Sequence, residues 1–187
     1  RGSTLGITTP NGFIAIKRGD KLPEGRFTIK GVNAELNKEV HDDDVKRIAQ
    51  LRELDTLILA HTSITNDGIA HLTALPQLHA LYVGGLPLTD FGILPLKKFS
   101  LLKLHIGETK ITDASITLIA GFDKLDELSL FRVAITDEGL QGLAKLKSLR
   151  KLMVGGTKVT EAGVKQLAKA LPQCSIEWDG GIIEPTK

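Results

Sequence analysis

A five-residue signature recurs five times at near-constant spacing: Ile64-Thr-Asn-Asp-Gly68, Leu88-Thr-Asp-Phe-Gly92, Ile111-Thr-Asp-Ala-Ser115, Ile135-Thr-Asp-Glu-Gly139 and Val159-Thr-Glu-Ala-Gly163. Ten residues ahead of each signature stands a leucine: Leu54, Leu78, Leu101, Leu125 and Leu149. The intervals are 24, 23, 24 and 24 residues, and Gln173 opens a sixth, partial unit at the next step of 24. A unit this short cannot bury an apolar face alone, so the chain must stack its units into a solenoid with one continuous core.

Each unit divides into two halves. Counting the leucine as position one, position four holds Leu57, Leu81, Leu104, Leu128, Leu152 and Ile176, and position six holds Leu59, Val83, Ile106, Leu130, Val154 and Trp178. Apolar residues two apart describe a short strand with one buried face. After the signature they recur three apart (Ile69, Leu72, Leu75; Ile116, Ile119, Phe122; Leu140, Leu143, Leu146), the inner stripe of a short helix. Thr65, Thr89, Thr112, Thr136 and Thr160 stand at the helix starts as caps. Asp90, Asp113, Asp137 and Glu161 follow at the positive end of the helix dipole. Thr62, Thr109 and Thr157 recur at position nine, where a buried hydroxyl is expected to bond the neighbouring turn.

The pattern L-x-x-L-x-L-x-x-T-x-I-T-D-x-G-L resembles the leucine-rich repeat, in the variant of F-box-type substrate receptors and of many bacterial repeat proteins. The resemblance runs from about Val40 to Trp178. It implies an α/β fold, a right-handed solenoid with a parallel sheet on the concave face and short helices on the convex face. It implies no enzymatic activity, because the shared residues build scaffold and function lies in the variable positions.

The ends are read as caps. Residues 1–10 are expected to be a tail or the remnant of a cut, since the chain opens on Arg1 and a longer parent is expected. Residues 11–39 are expected to form an N-terminal cap, with Phe13–Arg18 and Arg26–Lys30 as a hairpin around Gly19–Gly25. Repeats span 40–178, with Trp178 closing the core, and 179–187 form a C-terminal tail. The second unit is one residue short and carries Pro95 inside its expected helix, which predicts a 3₁₀ or irregular segment there.

Composition narrows the function. Lys plus Arg number 24 against 22 Asp plus Glu, a formal charge of +2 without long basic tracts, so the main warrant for nucleic-acid binding is missing. No apolar run approaches the ~20 residues of a membrane helix. The one cysteine, Cys174, excludes an internal disulfide framework and is read as a buried, inert thiol. It leaves the compartment open, with a soluble, cytoplasmic placement favoured over an extracytoplasmic one. His41, His61, His71, His79 and His105 are placed on different faces and read as isolated surface histidines rather than zinc ligands. The run His41-Asp42-Asp43-Asp44 is read as a helix start, and the pairs Gly84-Gly85 and Gly155-Gly156 as tight turns rather than phosphate loops. Neither a cofactor nor a catalytic set is expected.

That leaves the solvent side of the inner sheet, positions three, five and seven. Lys103, Glu127 and Lys151 form a predicted charge ladder at about 4.8 Å per strand, and Glu108 and Arg132 a predicted pair. Ile58, Tyr82, Phe131 and Met153 are apolar where solvent is expected, bordered by glycines that leave room for a partner. The strip is expected to be about six strands, or about 24 Å, wide. The chain is therefore read as a non-catalytic, monomeric interaction module for an unidentified protein or peptide. Its expected site is Ile58, Tyr82, His105, Phe131, Arg132 and Met153 with Lys103, Glu127 and Lys151. The alternative is a spacer or assembly scaffold of a larger bacterial protein, working through helices or caps. An enzyme built on His105 and Glu108 is the weakest reading, because it requires a perturbed histidine in a cleft and the strand spacing gives no reason for one.

Overall fold

The computed structural model describes residues 4–9, 12–17 and 19–186. Ten strands among the described residues form one sheet: β1 (Thr4–Thr9), β2 (Gly12–Lys17), β3 (Thr28–Asn33), β4 (Thr56–Ile58), β5 (Ala80–Tyr82), β6 (Lys103–His105), β7 (Glu127–Ser129), β8 (Lys151–Met153), β9 (Ser175–Trp178) and β10 (Gly181–Ile183). Their order is β10-β9-β8-β7-β6-β5-β4-β3-β1-β2. From β3 to β9 every pair is parallel and in the register that the repeat predicts, Leu57 beside Leu81, Leu104, Leu128, Leu152 and Ile176 in turn.

The outer layer holds α1 (Asp42–Ile48), α2 (Asn66–His71), α3 (Ile116–Ile119), α4 (Asp137–Gly142) and α5 (Glu161–Ala170). In the second unit Leu94–Lys98 is a 3₁₀ turn with Pro95 in its first turn, where the missing N–H costs nothing. Position-four leucines from the sheet and the helix stripe meet in one core, and Leu104, Leu128, Leu140 and Leu143 are fully buried.

The signature has a tertiary cause beyond helix capping. The Thr65, Thr112, Thr136 and Thr160 hydroxyls do accept from backbone N–H groups of their own helical turns. The acidic residue at this position in four turns, Asp42, Asp90, Asp113 and Asp137, reaches into the next unit, whereas Glu161 pairs with Lys165 of its own helix. Asp113 accepts from the Thr136 N–H at 2.9 Å and its hydroxyl at 2.6 Å, and Asp137 accepts from Thr160 in the same way at 2.8 and 2.6 Å. Asp42–Thr65 and Asp90–Thr112 repeat the arrangement. Asn66 supplies both an acceptor and a donor to Thr89.

The signature glycine makes the space. A methyl group on Gly139 would strike the Asp113 carboxylate, and one on Gly163 would strike that of Asp137. Where Ser115 replaces the glycine, its hydroxyl donates to Asp90. Burial pushes the Asp90 carboxyl up, but the bonds from Ser115 and Thr112 outweigh it and hold it below the ordinary range.

The ends differ from expectation. Residues 1–3, 10, 11, 18 and 187 lie outside the described residues, but Thr4–Thr9, expected within a tail, is a strand with Ile7 fully buried. The expected hairpin of Phe13–Arg18 with Arg26–Lys30 does not form. β2 pairs with β1, from Thr9↔Gly12 to Thr4↔Lys17, and β1 then pairs with β3. The loop from 9 to 12 is far shorter than that from 17 to 28, so it closes at less entropic cost. At the other end, part of the expected tail folds back as β10 against β9, and Trp178 is half-buried on the core. The Thr62, Thr109 and Thr157 hydroxyls donate to Leu59, Ile106 and Val154 three residues earlier, within their own units rather than to a neighbour.

Candidate functional site

The sheet's concave face carries the predicted residues in a continuous surface. Position five aligns Ile58, Tyr82, His105, Ser129 and Met153 on successive strands. Tyr82 and His105 meet ring to ring, with centroids 4.5 Å apart. Glu127 is the hub of the charge ladder: Lys103 Nζ lies at 3.1 Å, His105 Nε2 at 3.1 Å and Lys151 Nζ at 3.8 Å, with its own side chain only 16% exposed.

Titration follows from that packing. Burial pushes the Glu127 carboxyl up, but the Lys103 hydrogen bond and the nearby cations prevail and hold it below the usual range. For His105 burial prevails over the attraction of Glu127, and its imidazole is pushed below the usual histidine value. A perturbed histidine was not expected from strand spacing. It arises because Tyr82 covers one side of the ring. Burial likewise pushes the Tyr82 phenol up, keeping it neutral.

Position eight is where the backbone turns. Leu36, His61, Glu108 and Arg132 all adopt positive φ, between 54° and 62°, as do Gly85 and Gly156 at 68° and 70° in the same row. For a residue with a Cβ this conformation costs about 1 kcal/mol or more. The conformation leans each side chain along the solenoid. The His61 ring covers Gly85, the Arg132 stem covers Gly156 and the Phe131 ring lies on Gly155. Contrary to the sequence reading, then, these glycines leave room for the chain's own side chains. Glu108 joins the row, with Arg132 Nη1 at 3.0 Å and His61 Nε2 at 3.8 Å. Arg132 Cζ sits 4.8 Å from the centre of the Phe131 ring.

Three depressions open on this face and run together. One of about 350 Å³ is lined by Tyr82, His105, Phe131, His61, Glu108 and Glu35 among others. A second, of about 320 Å³, lies between Asp55, His79, Tyr82, Leu102 and Lys103. A third, of about 580 Å³, extends over the cap strands through Gly6, Ala15, Gly31 and Asn33 to Thr56 and Ile58. Thr56 joins the third to the second, Tyr82 joins the second to the first, and Ile58 joins the first to the third.

Of the expected site, Ile58, Tyr82, His105 and Phe131 border the first depression, and Lys103 borders the second. Arg132 stands beside the first through Glu108 and Phe131, whereas Met153 and Lys151 lie beyond it on β8. The strip is wider than six strands, because β1, β2, β3 and β10 extend it.

Two parts escaped the sequence reading. The cap contribution was hidden in an unpredicted strand. Position two, where His79 Nδ1 lies 2.8 Å from Asp55, was not considered as surface. Three of the five histidines, His61, His79 and His105, share this face, whereas His71 stands on α2 and His41 at the start of α1. Among the described residues no three His, Cys, Asp or Glu side chains are placed to hold a metal ion. None of the described helices is long and apolar enough to cross a membrane. Cys174 is buried, and burial pushes its thiol up to about 11.

No protein-family model matches the chain, and no curated sequence does. Solved structures do match. An internalin from Listeria monocytogenes (InlF) superposes with a TM-score of 0.58 at 21% identity, over 72% of this chain and 37% of its own. Internalin C2 of the same organism superposes with a TM-score of 0.57 at 22% identity, over 79% and 70%. The chain thus spans well under half the length of the first. At these identities the likeness is one of fold. Repeat register, parallel sheet and superposition together establish that this chain has the leucine-rich-repeat fold.

Proposed function

We propose that the chain is a non-catalytic interaction module that holds a protein or peptide partner on its concave sheet. The observation that carries this reading is the meeting of three depressions at Ile58, Thr56 and Tyr82, walled by half-exposed aromatic rings. A rigid sheet presents such anchors at little entropic cost. Tyr82, His105 and Phe131 form the centre, with Ile58, Arg132 and Met153 around it. Lys103, Glu127 and Lys151 supply a polar border. Parallel strands locked in register from β3 to β9 support a preformed surface rather than one that folds on binding.

The test is a pull-down with mass-spectrometric readout, comparing the wild-type chain with a folded Tyr82→Glu, Phe131→Glu variant. The reading expects a prey that is lost with the variant. A prey held equally by both overturns it. That outcome favours the scaffold reading, for which a separate observation speaks: Phe91, 80% exposed, and Leu94 stand on the irregular second unit.

A further inference from the structure

We propose that the depression bounded by Tyr82, His105, Phe131 and Glu108 is a seat for an arginine side chain of the partner, at whose edge Arg132 engages the Phe131 ring and the Glu108 carboxylate in the free chain. The inference rests on the concave-face reading and adds the chemistry of what enters there.

The chain itself demonstrates that chemistry. Arg132 places its guanidinium 4.8 Å from the Phe131 ring centre and donates to Glu108 Oε1 at 3.0 Å. A flat cation is thus already stacked on the ring and bound to the carboxylate. The contact is exchangeable, because the Arg132 side chain is 63% exposed. An exposed ion pair contributes at most about 1 kcal/mol, and an exposed cation–π contact about the same.

The other side of the same groups faces the open depression. Glu108 Oε2 has His61 Nε2 at 3.8 Å, beyond hydrogen-bond distance, so it can accept from an incoming donor. Glu35 and Glu108 are the only lining residues of a permanently ionised type, and no lysine or arginine lines the space. The depression therefore complements a cation. The Tyr82, His105 and Phe131 rings favour a planar cation over a point charge, and a guanidinium fork both stacks and bonds a carboxylate, which an ammonium does not. Glu108, His61 and Arg132 all sit in the left-handed backbone conformation that recurs at this position of each unit.

The experiment is an amide-NMR titration of the labelled chain with N-acetyl-arginine amide, and with the lysine and glutamate amides as comparators. Saturable shifts at Gly84, Gly85 and Gly107 are expected with the arginine compound, weaker ones with lysine and none with glutamate. Glu108→Gln should weaken binding by up to about fivefold. Phe131→Leu, which keeps bulk but removes the ring, should weaken it similarly. Arg132→Ala should strengthen it about twofold to fivefold by freeing the Glu108 carboxylate and the Phe131 ring face for the incoming guanidinium. Amide positions on the helices report whether each variant is folded.

Absence of saturable shifts, equal response to lysine or glutamate amide, or an Arg132→Ala variant that binds no better would each overturn the inference. Its failure is distinct from that of the wider reading. A prey lost with the Tyr82→Glu, Phe131→Glu variant, alongside no arginine response, leaves the concave site standing with a different occupant.

Discussion

Two edges of each repeat lie at opposite ends of one turn of backbone and are built on different rules. At the helix edge, threonine, acid and glycine recur because Asp42, Asp90, Asp113 and Asp137 are each bonded across the unit boundary. Asp113 holds Thr136, Asp137 holds Thr160, and the glycine leaves room for the carboxylate. At the concave rim the backbone recurs equally well, with positive φ in every unit from Leu36 to Gly156, but the side chains do not. One edge repeats its chemistry because it glues units together. The other repeats only its shape, which frees His61, Glu108 and Arg132 to differ. Function in such a solenoid is therefore to be sought where backbone periodicity persists and side-chain periodicity stops.

Substitutions can break this contrast. The largest effect is expected in the core that both edges share: Leu128→Ala should cost about 2–5 kcal/mol in chemical unfolding, since Leu128 is fully buried. A denaturation midpoint left unchanged would refute the register. Next, Asp113→Ala should cost about 1.5–3 kcal/mol by stranding the Thr136 donors. Asp113→Asn should cost less, because Asn66 already fills that role two turns of the solenoid away. Equal losses for the two would show that charge, not hydrogen bonding, holds the units together.

Alanine at the glycines separates the edges directly. Gly139→Ala drives a methyl into the anchored Asp113 carboxylate and should cost about 1–3 kcal/mol. Gly156→Ala meets only the movable Arg132 stem and should cost about 1 kcal/mol, from its positive φ. A thermal melt in which Gly156→Ala is the more damaging would reverse the comparison.

The smallest effect is one of pH. Because the folded state holds His105 below its unfolded value, it resists protonation. The contribution of His105 is intact above about pH 6.5 and is lost as pH falls below that. Glu127, also lowered, adds a loss at more acid pH, as it takes up its proton. His105→Asn should flatten the stability profile between about pH 7.5 and 5.5. An unaltered slope there would assign the titration to another group.

Much of this is legible in the sequence. The 24-residue spacing places Leu57, Leu81, Leu104, Leu128 and Leu152 in one row, and the sheet keeps that row. Pro95 announced its 3₁₀ segment, and the charge ladder and the Glu108–Arg132 pair follow from register alone. These are consequences of local periodicity, because a stacked unit repeats whatever its neighbour does.

Tertiary structure decided the rest. The threonine–acid pair read as a local cap turned out to be a bond between units, since sequence separation of 23 residues conceals adjacency in space. β1 lies in the sheet between β2 and β3 at the cap, where no repeat enforces an order. The left-handed rim is unmarked at His61, Glu108 and Arg132, where no glycine signals it. The lean of those side chains, and so the shape of the depressions, follows from backbone dihedrals that stacking imposes. Periodicity in the sequence determined which residues share a face; packing between turns determined which of them touch.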